Sequence, residues 1–249
     1  MNLLTLGRLE IDGSDFAEHQ PLLLLSYMAL EKRVLRGELA DLFWMHQERR
    51  TLRLKALSEA LRKLKRVSPG LVNADHTRAQ TDVQTDVEFF LTTFSEGRLS
   101  DALTHYGGPF LEGIERNKRL HLAPELLEWV VNQREALQAK VLDICLILGE
   151  RAARRETFDE AADYAWRAFS LNKDVAYPGE DDYERMHTLL FAAGRTQDAT
   201  LLQTEAADIY GERNWSTHQQ EARARLTFSL NLPPATSTGL SPFEQTQEL

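Results

Sequence analysis

Between Thr51 and Val67, leucines recur at positions 54, 57, 61 and 64. Spacings of three and four put them on one stripe of a helix and on no single face of a strand. At about 100° per residue the other side carries Lys55, Glu59, Arg62, Lys63 and Arg66. The segment therefore predicts a helix that buries leucine and presents mainly positive charge, stopped by Ser68-Pro69-Gly70. In the window Met45 to Arg66 the cations are Arg49, Arg50, Arg53, Lys55, Arg62, Lys63, Lys65 and Arg66; only Glu48 and Glu59 oppose them, leaving +6 over 22 residues. The whole chain carries −9, and residues 1–90 balance 13 basic against 13 acidic side chains. The negative excess thus lies entirely in residues 91–249. A uniformly basic coat is excluded, whereas a local basic patch is not, and the step in charge predicts two domains with different partners. A solvated helix face has the same pattern, so charge alone does not decide between them.

The flanking sequence supplies a frame for this helix. Leu4, Leu6, Leu9 and Ile11 read as a strand or strand pair with Gly7 at a bulge and Asp12-Gly13 at a turn. Pro21 opens a helix over Leu22 to Leu30 that is apolar nearly all round and so is expected to be buried. Gly37 and Glu38 begin a second short helix with Leu39, Ala40, Leu42 and Phe43 or Trp44 on its apolar side. After the basic helix, Leu71-Val72 and Ala79 to Val83 flank a polar turn, predicting a hairpin with His76 and Arg78 at its tip. Strand, three helices with the last basic, then hairpin is the order of a winged helix-turn-helix, whose third helix enters a DNA major groove. In that reading Thr51, Lys55 and Arg62 lie near base edges. Arg49, Arg50, Lys63, Lys65, Arg66 and Arg78 serve phosphates and the wing.

Three stretches, Pro21-Leu-Leu-Leu-Leu-Ser-Tyr-Met-Ala-Leu30, Arg36-Gly-Glu-Leu-Ala-Asp-Leu-Phe-Trp44 and Leu52-Arg-Leu-Lys-Ala-Leu-Ser-Glu-Ala-Leu-Arg-Lys63, resemble the DNA-binding half of the bacterial transcriptional activator domain family. Ala102-Leu-Thr-His-Tyr-Gly-Gly-Pro-Phe-Leu-Glu-Gly113 resembles the segment that opens the family's second half, and the likeness runs in order from about Met1 to Trp215. It implies an OmpR-like winged helix followed by a helical-repeat domain, binding to double-stranded DNA, contact with RNA polymerase, and a homodimer or a partner held by the repeats. The chain departs from the family where Met45 and His46 follow Phe43-Trp44 in place of proline, and where Glu59 follows Ser58 in place of arginine. A carboxylate repels phosphates but accepts from cytosine N4. The competing reading is a helical-repeat scaffold for proteins whose winged-helix half is degenerate and does not bind DNA.

From Leu99 onward the chain reads almost entirely as helix, with short turns. Pro124 begins a long amphipathic run through Leu148, with Cys145 inside its apolar stripe as a core thiol. Gly97-Arg-Leu-Ser-Asp-Ala102, Glu156-Thr-Phe-Asp-Glu-Ala161 and Gly194-Arg-Thr-Gln-Asp-Ala199 repeat a turn followed by an acidic-Ala helix start, the last two 38 residues apart. That interval is close to the tetratricopeptide period of about 34 residues. Ala161, Ala162, Ala165 and Ala168 would let paired helices approach closely, while Tyr164, Trp166, Tyr183, Phe191 and Tyr210 are mostly core by spacing.

The expected fold class is mainly α: a winged helix-turn-helix over 1–90, a tetratricopeptide-like domain over 91–230 and a flexible tail over 231–249. A phosphate loop, a nucleophile elbow, a dinucleotide fingerprint and metal-ligand His or Cys spacings are all missing from the sequence. The expectation is therefore no enzyme, no cofactor and no metal. One cysteine, no membrane-length apolar run and early acidic residues predict a cytoplasmic protein.

Overall fold

The computed structural model describes residues 1–117, 120–171, 178–211, 215 and 219–228, and the chain is mainly helical with two small sheets. The expected tail over 231–249 lies outside the described residues. In the first sheet, β1 (Asn2–Leu4) lies between antiparallel β2 (Glu10–Ile11) and parallel β6 (Gln84–Thr85). In the second, β5 (Arg78–Gln80) lies between β3 (Arg33–Leu35) and β4 (Asn73–Ala74), both antiparallel to it.

Between these strands run α1 (His19–Glu31), α2 (Arg36–Phe43) and α3 (Arg50–Val67). Helix α1 starts at His19 rather than at Pro21, which sits in the first turn, where the missing N–H has no intrahelical partner to lose. Its Leu22 to Leu25 are all fully buried, as an all-round apolar helix requires. The hairpin is shorter than its apolar flanks suggest, because Leu71 and Val72 turn into the core instead of pairing. Arg78 consequently lies within β5 opposite Leu35, and the tip is Asp75 to Thr77.

Helix α4 (Asp86–Ser95) crosses the 90/91 position and is followed by α5 (Leu99–His105), α6 (Pro124–Arg154), α7 (Phe158–Leu171), α8 (Glu180–Ala192), α9 (Thr196–Tyr210) and α10 (Gln219–Phe228). The run from Leu99 is broken by more than a short turn: 106–117 and 120–123 are irregular apart from a single 3-10 turn at Ile114–Arg116. Helix α4 packs on α5, α6 on α7 and α8 on α9, so the three copies of the repeated motif each close a helical hairpin.

The closure is the same in all three. Gly97, Glu156 and Gly194 have φ of 72°, 61° and 81°. The next residue's N–H reaches back five positions, Arg98 to Thr93, Thr157 to Ala152 and Arg195 to Leu190, each at 3.0 Å. These are Schellman turns, which cap a helix through one left-handed residue. Ala102, Ala161 and Ala199, four positions beyond each turn residue's successor, are fully buried where the paired helices meet. Glu156 is the one copy with a side chain at the left-handed position, where an L-residue costs about 1–2 kcal/mol. Glu156→Gly is expected to raise stability by about 1 kcal/mol in urea unfolding; a variant less stable than the parent would contradict the equivalence of the three turns.

The segment after α5 joins this array to the first sheet. Gly7 N–H donates to the Pro109 carbonyl at 2.9 Å, Leu111 N–H donates to the Thr5 carbonyl at 2.8 Å, and Leu6 bridges Phe110. Backbones approach so closely here that a Cβ on Gly7, at φ +80°, would lie 2.7 Å from the Gly107 carbonyl oxygen. Arg134 of α6 donates to the Phe110 and Leu111 carbonyls, both at 2.6 Å, and pairs with Glu115. Trp129, also on α6, packs between Tyr27 and Phe110 and donates to Glu31 Oε1. One apolar core therefore runs from the first sheet into the helical hairpins.

Two buried titratable groups in the helical hairpins are neutral. Burial pushes the Cys145 thiol up to about 11, with Arg167 pulling weakly the other way. Burial pushes the His187 imidazole down from 6.5 to about 4; it packs against Phe191 and Trp215, and its Nδ1 has no partner among the described residues. The unfolded chain takes up this proton below about pH 6.5, and the folded chain only near pH 4. Stability from this group is therefore complete above the first value and lost as the pH falls toward the second, by about 3 kcal/mol. His187→Phe is expected to flatten that part of the stability–pH curve, and an unchanged slope would contradict it.

Candidate nucleic-acid interface

Helix α3 buries Leu57, Ala60, Leu61 and Leu64 and leaves Leu54 half-buried, as the leucine stripe predicts. With Leu57 at 0°, Thr51, Arg62, Lys55, Arg66 and Glu59 project at about 120°, 140°, 160°, 180° and 200°. All five are exposed, and so are Lys65 and the apolar Leu52. Among the described residues no ion pair holds the side chains of Lys55, Arg62, Lys65 or Arg66. The face directly opposite the core is thus cationic and uncompensated apart from Glu59.

The other sequence-predicted residues are placed around this face. Lys63 is turned off it: its ammonium pairs with Glu18, just before α1. Arg49 is exposed at the N-cap of α3, and Arg50 lays its guanidinium over Gly37 at the start of α2. His76 is exposed at the hairpin tip and Arg78 is exposed on β5. The tip is held by Asp75, whose Oδ1 accepts from Thr77 N–H at 2.6 Å, Arg78 N–H at 2.8 Å and the Thr77 hydroxyl at 2.9 Å. Those bonds, first the one from Arg78 N–H, hold its carboxyl down at about 2, so the tip keeps its anionic anchor throughout the neutral range.

Two arginines outside the predicted contact set, Arg36 and Arg53, fix the geometry. Arg36, the first residue of α2, donates to Ser58 Oγ of α3 and to the Asp75 carbonyl, both at 2.8 Å, while its backbone N–H donates to the Thr77 carbonyl. It ties the cationic helix to the hairpin tip. Arg53 donates to the Gln47 carbonyl at 2.6 Å, to Asp41 at 3.0 Å and to the Met45 carbonyl at 3.3 Å, holding the loop that leads to Arg49. In the same loop His46 stacks on His121 at 4.6 Å, and burial, then His121 and Arg53, lower its pKa.

Among the described residues no group of three or more His, Cys, Asp or Glu is arranged to hold a metal, and no helix is long and apolar enough to cross a membrane. No protein-family model matches the chain, and no curated protein matches it. The arrangement can supply donors to an anionic surface: a cationic helix about 27 Å long with a hairpin beside it whose tip is hydrogen-bonded to Asp75.

Proposed function

We propose that the chain is a DNA-binding transcription regulator, with a winged helix-turn-helix formed by the elements through β6 and a tetratricopeptide-like helical domain formed by α4 onward. The observation that carries this reading is the exposed, unpaired cationic face of α3, set against the hairpin by Arg36. Helix α3 enters a major groove. Thr51, Lys55 and Arg62 meet base edges, and Arg49, Lys65, Arg66 and Arg78 meet phosphates. The resemblance to the bacterial transcriptional activator domain family supports the same division and adds RNA polymerase, or a second copy held through the repeats, as partners in the cytoplasm.

Fluorescence anisotropy of the full chain with duplex DNA across a salt series tests the reading. These four phosphate contacts predict that log affinity falls with log salt at a slope of about −4. A protein-binding scaffold shows no appreciable affinity for duplex DNA, and its affinity for a protein partner depends less steeply on salt.

A further inference from the structure

Glu59 lies within about 20° of the line pointing directly away from the α3 core. It is exposed in the middle of the cationic face, with Lys55 one turn before it and Arg62 and Lys63 one turn after. Any of the three could neutralise it, yet among the described residues it makes no ion pair, and Lys63 is taken by Glu18 instead. A carboxylate that meets phosphates in this position would repel them. On base edges it can only accept, and the major groove offers two donors, cytosine N4 and adenine N6. Adenine N6 lies between two acceptors, its own N7 and thymine O4, which repel a carboxylate, whereas cytosine N4 is flanked by guanine O6 on one side only and by its own C5–H on the other. Lys55 and Arg62, which flank Glu59, supply the donors that guanine O6 and N7 accept.

We infer that Glu59 selects a cytosine in the DNA target, within a G·C-containing step read by Lys55 and Arg62. The assignment rests on the proposal that α3 enters the major groove. It makes Glu59 a specificity-determining residue and not an impediment to binding.

Selection from a randomised duplex library by the full chain, followed by sequencing, tests it with the parent, Glu59→Ala and Glu59→Gln side by side. The parent is expected to enrich a motif with a fixed cytosine. Glu59→Ala should lose preference at that one position by about tenfold, keep the remaining positions, and bind unrelated duplex at low salt at least as well as the parent. Glu59→Gln should shift the same position toward adenine, whose N6 and N7 match a carboxamide. An identical motif from parent and Glu59→Ala would overturn the assignment while leaving the DNA-binding reading intact. No enriched motif from the parent would overturn both.

Discussion

Replacing Asp86 with alanine is expected to lower folding stability by about 4 kcal/mol. Asp86 is the first residue of α4 and buried, and its carboxylate accepts from three donors just after β1. Thr5 N–H donates to both oxygens at 2.9 and 2.8 Å, the Thr5 hydroxyl donates at 2.7 Å, and Leu6 N–H donates at 2.8 Å. Val87 N–H adds a bond from within the helix, where the unsatisfied N-terminal amides also favour a negative charge. Alanine strands these donors where water does not reach them, each at a cost of about 1–3 kcal/mol. Asp86→Asn keeps one acceptor oxygen and should lose about half as much. Urea unfolding followed by circular dichroism measures both, and a loss below about 1 kcal/mol in the alanine variant would contradict this role for Asp86.

The second large effect is on binding. Lys55→Ala/Arg62→Ala is expected to weaken affinity for the selected duplex by about 100-fold while leaving the salt slope near that of the parent, because both side chains meet base edges and not phosphates. Both side chains are exposed and neither is ion-paired among the described residues, so the helical circular dichroism should be unchanged. Lys63→Ala is the matched control, because its ammonium is engaged by Glu18, and its affinity should stay within about threefold of the parent. Equal losses in the double variant and the control would show that the opposed face is not the contact surface.

The parts of this architecture legible in the sequence are those set by local periodicity. The leucine stripe gave α3 to within one residue at its start, and Pro124 marked the first residue of α6. The repeated acidic-Ala step located all three hairpin turns, although glutamate at position 156 concealed a left-handed residue that glycine reveals at 97 and 194. What escaped depends on partners distant in the chain. Strand β3 is three residues long with one buried side chain, Val34, and it exists because the hairpin strand β5 pairs with it. Asp86 reads as an ordinary helix-starting carboxylate until Thr5 and Leu6, which follow β1 and lie 81 and 80 residues earlier, are laid beside it. Arg36 reaches across 22 and 39 residues to Ser58 and Asp75. A helical projection puts Lys63 on the outward face because it cannot include Glu18, which comes from outside the helix.

The measurement that bears most directly on the proposed function is retention of fragmented genomic DNA by the purified full chain at two salt concentrations, with sequencing of what is held. The account predicts that a few fragments from promoter regions are enriched at low salt and that the higher salt releases them. Failure to enrich any fragment at low salt would contradict DNA recognition by α3.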